Sequence, residues 1–371
     1  MSLTPSPERE ELRSVVRKFM ATHSDESQVR RQMDLGEGYD TAVWRKMAEQ
    51  LGVQSLMIPE EYGGAGFGFG ELAIVLEEAG RALLCAPLMS TAVLATSALL
   101  YSNDETAAKD HLPGIAEGTT VATVAIIEDG GNWAEDGITL QAKATDDGWH
   151  LTGVKPYVLD GTDAGLIIVA ARTESGVSLF LVDAGAPGFT ATNLSTLDLT
   201  RRQARLEFSD TPARLLGTDG SGWEVLEKVL RVAAIALACE QVGGSAQVLE
   251  TTVEYAKTRE QFGRQIGSFQ AVKHKLADML VELESSRSAA YFATAALESD
   301  SDDSSVAASI AKSYCSTAFY DIAAESIQLH GGIGFTWEHT AHMYFKRARG
   351  SHSLFGTPAY HRALIAAQLG V

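Results

Sequence analysis

Apolar positions along the chain change period twice. Over residues 7 to about 118 they recur with a helical spacing. The run 42–51 is amphipathic and is stopped by Gly52, and 72–84 is a second helical run. Between them Pro59-Glu60-Glu61-Tyr62-Gly63-Gly64 reads as a turn-rich loop. From Val121 the runs become short and β-rich: 121–127, 138–144, 149–159, 166–171 and 177–183, each bounded by Gly, Asp or Asn, with alternation at 205–208. From Trp223 the helical period returns in three long runs, 223–257, 269 to about 297, and 306–328. The acidic stretch 299–305 is a solvated loop between helices, and there is no internal repeat. The pattern predicts an α+β multidomain chain: an N-terminal α-helical domain at 1–118, a middle antiparallel β-barrel or sandwich at 119–217, and a C-terminal helical bundle at 218–371.

One stretch imitates a membrane span. Residues 82–103 carry no charge, but Pro87, Ser90, Thr91, Thr96 and Ser97 make a poor lipid-facing helix, so a buried core helix is expected and no membrane span. The first ten residues carry Glu8 and Glu10 and no apolar leader segment. The 371 residues contain 30 Lys+Arg against 48 Asp+Glu, a formal charge of −18, which argues against nucleic acid or an anionic membrane as partner. Cys85, Cys239 and Cys315 are too few and scattered for a disulfide scaffold, which points to a reducing, cytoplasmic setting.

Two segments carry candidate chemistry. Residues 258–270, Thr-Arg-Glu-Gln-Phe-Gly-Arg-Gln-Ile-Gly-Ser-Phe-Gln, join two long helices; two arginines, two glycines and a following helix N-terminus make a good anion site. A plain helix–helix turn with solvated charges is the alternative. Residues 328–335, Gln-Leu-His-Gly-Gly-Ile-Gly-Phe, permit a tight turn and close approach of a ligand to the backbone, or serve as a glycine cap. Gly63 to Gly70 follows no strand, so a dinucleotide fold is not expected there.

In order and spacing, the Arg259…Phe262-Gly263…Phe269-Gln270 and Gln328…Gly331-Gly332-Ile333-Gly334-Phe335 blocks resemble the acyl-CoA dehydrogenase family, as does Pro59…Tyr62-Gly63-Gly64. The resemblance spans essentially the whole chain and implies the family fold, with a C-terminal four-helix bundle. It also implies a tetramer built as a dimer of dimers, with FAD bound between subunits. Arg259 and Gln328 would reach the pyrophosphate and adenosine of the FAD held by a neighbour, with Phe262, Gln270, Gly331 and Gly332 lining the same site. Thr357 matches a family threonine near the FAD phosphates.

The chain also departs from the family. Where relatives place a Thr-Glu-Pro strand followed by Gly-Ser, it reads Ile127-Glu128-Asp129-Gly130-Gly131, without the hydroxyls that face the flavin. Where relatives set an aromatic and a hydroxyl residue against the ring, it has Tyr157-Val158-Leu159, so Tyr157 and the backbone N–H groups of Val158 and Leu159 are the candidate flavin contacts. The family most often carries its catalytic Glu before a Gly-Thr pair; here Phe355 precedes Gly356-Thr357. Some relatives supply the carboxylate from the first long C-terminal helix. There Glu224 and Glu227 suit a first turn, and Glu250 and Glu254 a solvated face. Glu240 follows the charge-free run 232–239; desolvation raises a carboxyl pKa toward the range of a general base, which makes Glu240 the candidate. A buried Glu satisfied by a neighbouring helix is the other reading.

The implied reaction is α,β-dehydrogenation of an acyl-CoA thioester to the trans-2-enoyl-CoA, with electrons passed to an electron-transfer flavoprotein. The rival is a non-catalytic partner subunit that completes the FAD site of another chain, in a mixed tetramer rather than a homotetramer. His339 and His342 beside Glu338 lack a third ligand at sensible spacing, so no metal site is expected.

Overall fold

A computed structural model describes residues 6–36 and 38–370. Each early helix starts where its cap dictates. α1 (Pro7–His23) begins on Ser6, whose hydroxyl accepts from the Arg9 N–H. α3 (Thr41–Leu51) begins on Asp40, which accepts from the N–H groups of Ala42 and Val43, and ends on Gly52 at φ 61°. α2 (Glu26–Leu35) lies between them and α4 (Phe69–Arg81) follows. The charge-free segment becomes a wide π-helical stretch, Met89–Ala95, continuing into α5 (Thr96–Tyr101) and buried through Leu99. α6 (Glu105–Ala116) closes the helical part.

Seven strands follow: β1 (Ala122–Ala125), β2 (Gln141–Thr145), β3 (Gly148–Leu159), β4 (Leu166–Thr173), β5 (Gly176–Asp183), β6 (Phe189–Asn193) and β7 (Gln203–Leu216). Their pairings run β4–β2–β3–β7–β5 and back to β4, so the sheet closes on itself as a barrel. Two pairings differ from the antiparallel expectation: β1 lies parallel to β4, and β2 meets β4 in parallel at Gln141 and Arg172. β6 was not foreseen, since its sequence FTATN has too little apolar character to register as a strand. The β3–β7 register slips between Lys155 and Val158. Pro156 has no N–H for the ladder, so a bulge there is expected, and it re-aims Tyr157.

The C-terminal part has three long helices, α7 (Gly222–Thr258), α8 (Gln270–Glu298) and α9 (Ser304–His330), and two shorter ones, α10 (Ala341–Ser353) and α11 (Pro358–Gln368). Two short strands, β8 (Glu260–Gln261) and β9 (Arg264–Gln265), join α7 to α8. α7 is long and apolar enough to cross a membrane, yet its apolar window is 94% buried inside the protein.

By contacts the chain forms two compact units. One runs to Arg31 and includes Phe69–Leu84 and everything from Ala234; the other comprises Gln32–Gly68 and Cys85–Ala233. In the first unit α4 and α7 touch backbone to backbone. A Cβ on Gly80 would stand 2.0 Å from the Glu240 carbonyl oxygen, and one on Gly243 only 1.7 Å from that of Glu77. That crossing explains a glycine in the interior of α7.

Candidate functional site

The Arg259 segment folds as a β-hairpin rather than a loop. Glu260 pairs with Gln265 and Gln261 with Arg264. The two residues between them, Phe262 and Gly263, are both left-handed, with φ 55° and 74°. Two positive φ values define the tight hairpin turn whose twist matches the strands; glycine takes the second at no cost, whereas phenylalanine is strained in the first. Phe262 is 92% exposed, its ring edge-on to Phe269, and the Arg264 guanidinium lies 4.0 Å from the Phe269 ring centroid. Arg259 and Gln270 are exposed at the base of the hairpin.

The glycine block sits at the same end of this unit. Tyr255, one turn before Arg259, stacks on His330 at 4.3 Å and donates its hydroxyl to the His330 carbonyl. Gln328, Gly331 and Gly332 are exposed, and a Cβ on either glycine would meet nothing within 4 Å. The structure therefore brings Arg259, Phe262, Gln270, Gln328, Gly331 and Gly332 to one end of the unit. A guanidinium, amides and open glycine backbone fit the pyrophosphate of a dinucleotide.

Thr357 is elsewhere. Its hydroxyl caps α11 by accepting from the Tyr360 N–H. The next carbonyl, that of Pro358, is held by Ser313, which precedes Gln328 by 15 residues on α9, or about 22 Å along the helix. Within one chain, then, Thr357 and the Gln328 cluster stand apart.

In the other unit, Tyr157 is 51% exposed and Val158 buried. The backbone beyond them is tied down: the Thr123 hydroxyl donates to the Leu159 carbonyl at 2.6 Å, and Ser90 Oγ donates to Asp160 Oδ2 at 2.6 Å. Burial pushes the Asp160 carboxyl up to about 6. Lys155 is buried and donates to the Ile126 carbonyl and Glu128.

Glu240 is buried, but it is not alone. Arg347 Nη1 donates to Glu240 Oε1 at 2.8 Å, with side-chain exposures of 3% and 8%, and Arg347 also reaches the Leu84 carbonyl. The desolvated carboxylate expected from the sequence thus sits in a buried ion pair with a guanidinium. Sequence reading missed Arg347 because the partner lies 107 residues away. Phe355 is also buried, at φ 57°.

His339 and His342 serve locally. His339 accepts from the Ala341 N–H, and His342 bonds to the Trp337 carbonyl and stacks on its ring at 4.6 Å. No group of three His, Cys, Asp or Glu among the described residues could hold a metal.

Comparison with known proteins agrees with this architecture. Residues 6–119, 123–211 and 220–370 match the N-terminal, middle and C-terminal domains of acyl-CoA dehydrogenase. The chain belongs to the acyl-CoA dehydrogenase family, a family of flavin-dependent oxidoreductases. It is 37% identical to acyl-CoA dehydrogenase IpdE2 of Mycobacterium tuberculosis, over 96% of this chain and 95% of that one. Among solved structures it resembles the Tcur3481–Tcur3483 steroid ACAD (TM-score 0.87, 32% identity, covering 98% of each chain). It also resembles the ChsE4–ChsE5 complex of M. tuberculosis (TM-score 0.91, 29% identity, 100% and 99% covered).

Proposed function

We propose that this chain works in the α,β-dehydrogenation of an acyl-CoA thioester as the subunit that grips the FAD of an adjacent protomer, and that another chain supplies the proton-abstracting carboxylate. One observation carries this reading: neither position from which a base was expected offers a free carboxylate, since Phe355 is apolar and Glu240 is held by Arg347. The exposed hairpin and open glycine turn support the gripping half of the role. Similarity to chains of two complexes, one called a steroid ACAD, supports a mixed tetramer and a polycyclic acyl group.

Bound flavin would accept the β-hydrogen as hydride and pass the electrons on, to an electron-transfer flavoprotein. The chain's own residues bind and orient. Arg259 offers planar donors to phosphate oxygens, Gln328 offers an amide, and Gly331 and Gly332 let the ligand approach the backbone. Phe262, unsatisfied in the single chain, gains an apolar partner on assembly.

The second reading is a homotetramer in which Glu240 is the base, favoured by its place after the apolar run of α7. Expression of the chain by itself separates the two. Colourless protein that becomes yellow and active only with a carboxylate-bearing partner chain supports the proposal. A yellow protein that alone reduces a dye with acyl-CoA, and loses turnover in Glu240→Gln while keeping flavin, overturns it.

A further inference from the structure

One face of α9 is devoted to a single turn. Ser309, Lys312, Ser313 and Ser316 repeat at helical spacing and all four are buried, Lys312 at 0% exposure. Lys312 Nζ donates to the Gly356 carbonyl at 2.8 Å, to the His352 carbonyl at 3.3 Å and to Ser316 Oγ at 3.0 Å. Ser313 Oγ donates to the Pro358 carbonyl at 3.3 Å. His361 bonds the Phe355 carbonyl through Nε2 at 2.9 Å and Ser309 Oγ through Nδ1 at 3.3 Å. Gln241 on α7 joins the chain of bonds at Ser316.

This is more polar machinery than a helix–helix connection needs. It surrounds a strained backbone, with Phe355 at φ 57° and Gly356 at φ 101°. A left-handed phenylalanine persists only where its surroundings impose the conformation. Among the described residues no side-chain carboxylate pairs with Lys312; its acceptors are two backbone carbonyls and one hydroxyl.

We propose that Lys312 is a positioning residue: its ammonium group clamps the 352–358 turn by the His352 and Gly356 carbonyls, and thereby fixes Phe355 inward and Thr357 at the start of α11. What the clamped turn serves, contact with flavin phosphates through Thr357, rests on the reading under Proposed function; the clamp itself does not.

The clamp is sensitive to proton loss. An ammonium has three N–H bonds for three oxygens; a neutral amine has two and turns a lone pair on the third. Burial brings Lys312 down to about 7. The groups facing it are His352 on α10 and His361 on α11, both pushed down by burial, and Cys315 on α9, pushed up. α7 presents the neutral Gln241, and α8 presents the Ser286 carbonyl, to Cys315. Arg362 bonds Ser313 at the rim; Arg349 lies near enough to His352 to depress it, and Asp321 on α9 near enough to raise it.

The test is amide hydrogen exchange of residues 353–357 in the assembled protein from about pH 6 to about pH 8.5, corrected for intrinsic rates, in wild type and Lys312→Met. In wild type, protection of the turn relative to α8 is expected to fall about tenfold across this range. In Lys312→Met the turn should exchange about tenfold faster at the acid end and show no step, with α8 unchanged. A wild-type profile without a step, or a variant profile matching wild type, overturns the clamp. Should Lys312→Met not fold, the wild-type profile alone decides. FAD dissociation is measured on the same samples. A loosened turn with faster FAD loss supports both claims; a loosened turn with unchanged FAD retention leaves the clamp standing and removes the role of Thr357.

Discussion

Glu240 and Arg347 meet at 2.8 Å with almost no solvent on either side chain. Removing one partner of a buried ion pair strands the other charge, at a cost of about 3–5 kcal/mol, whereas replacing both with apolar groups is often neutral. Glu240→Gln and Arg347→Met are each expected to lower unfolding free energy by about that much, and the double variant Glu240→Leu/Arg347→Met to recover most of it. Urea denaturation measures all three. Asp160 is the other residue with a definite expectation. Its folded-state pKa, about 6 against the ordinary 3.8, is raised by burial. Its stabilising contribution is therefore complete below about pH 4 and is lost as pH rises through about 6, where the fold must hold a carboxylate. Asp160→Asn keeps a hydrogen-bonding partner for Ser90 without the charge. It should raise the melting temperature at pH 8 relative to wild type and leave it nearly unchanged at acid pH; equal melting at both would contradict the assignment.

At the scale of elements, two glycine contacts separate packing from conformation. Gly243 on α7 faces the Glu77 carbonyl where the helices touch, so Gly243→Ala forces two backbones apart. A loss of about 3 kcal/mol or more, or insoluble protein, is expected from such overpacking. Gly263 has open space around its Cβ and φ 74°, so Gly263→Ala meets only the left-handed penalty, about 1–2 kcal/mol, confined to the hairpin. Circular dichroism melts of the two variants should differ accordingly. The hairpin itself was readable only as a glycine-containing loop, since the pairing of four residues leaves no periodic trace. The helices were far more legible. Gly52 reads as a stop and is the left-handed cap of α3; the charge-free 82–103 stretch reads as core and is buried from Pro87 through Leu99.

For the whole molecule, the exposed Phe262, Phe335 and Trp337 at 92%, 85% and 56% are side chains a single chain leaves in water. Replacing Phe262 by Ser should leave the stability of the isolated chain within about 0.5 kcal/mol, because the ring is almost wholly exposed and meets only the edge of Phe269. The same variant, and Arg259→Ala, should weaken flavin retention in the assembled protein under the proposed function. Flavin absorbance after gel filtration at matched concentration checks this, and retention equal to wild type would count against a donated grip. The net charge of −18 sets the wider frame: the proposed gripping site is a local cluster of donors on an acidic protein, suited to one anion rather than to a polyanion.

The order of helices, strands and helices, the glycine and arginine blocks, and the absence of a carboxylate at Phe355 all follow from the linear pattern, because hydrophobic period, caps and local motifs are properties of neighbours in sequence. Tertiary structure alone decided the rest. It laid α4 against α7 at Gly80 and Gly243, and set Arg347 on Glu240 from 107 positions away. It also parted Thr357 from the Gln328 cluster and turned Lys312 and Ser313 of α9 onto one strained turn. Those are contacts across distant segments, fixed by how closely the helices approach and by where buried charge and polar groups find partners, and no spacing along the chain encodes them.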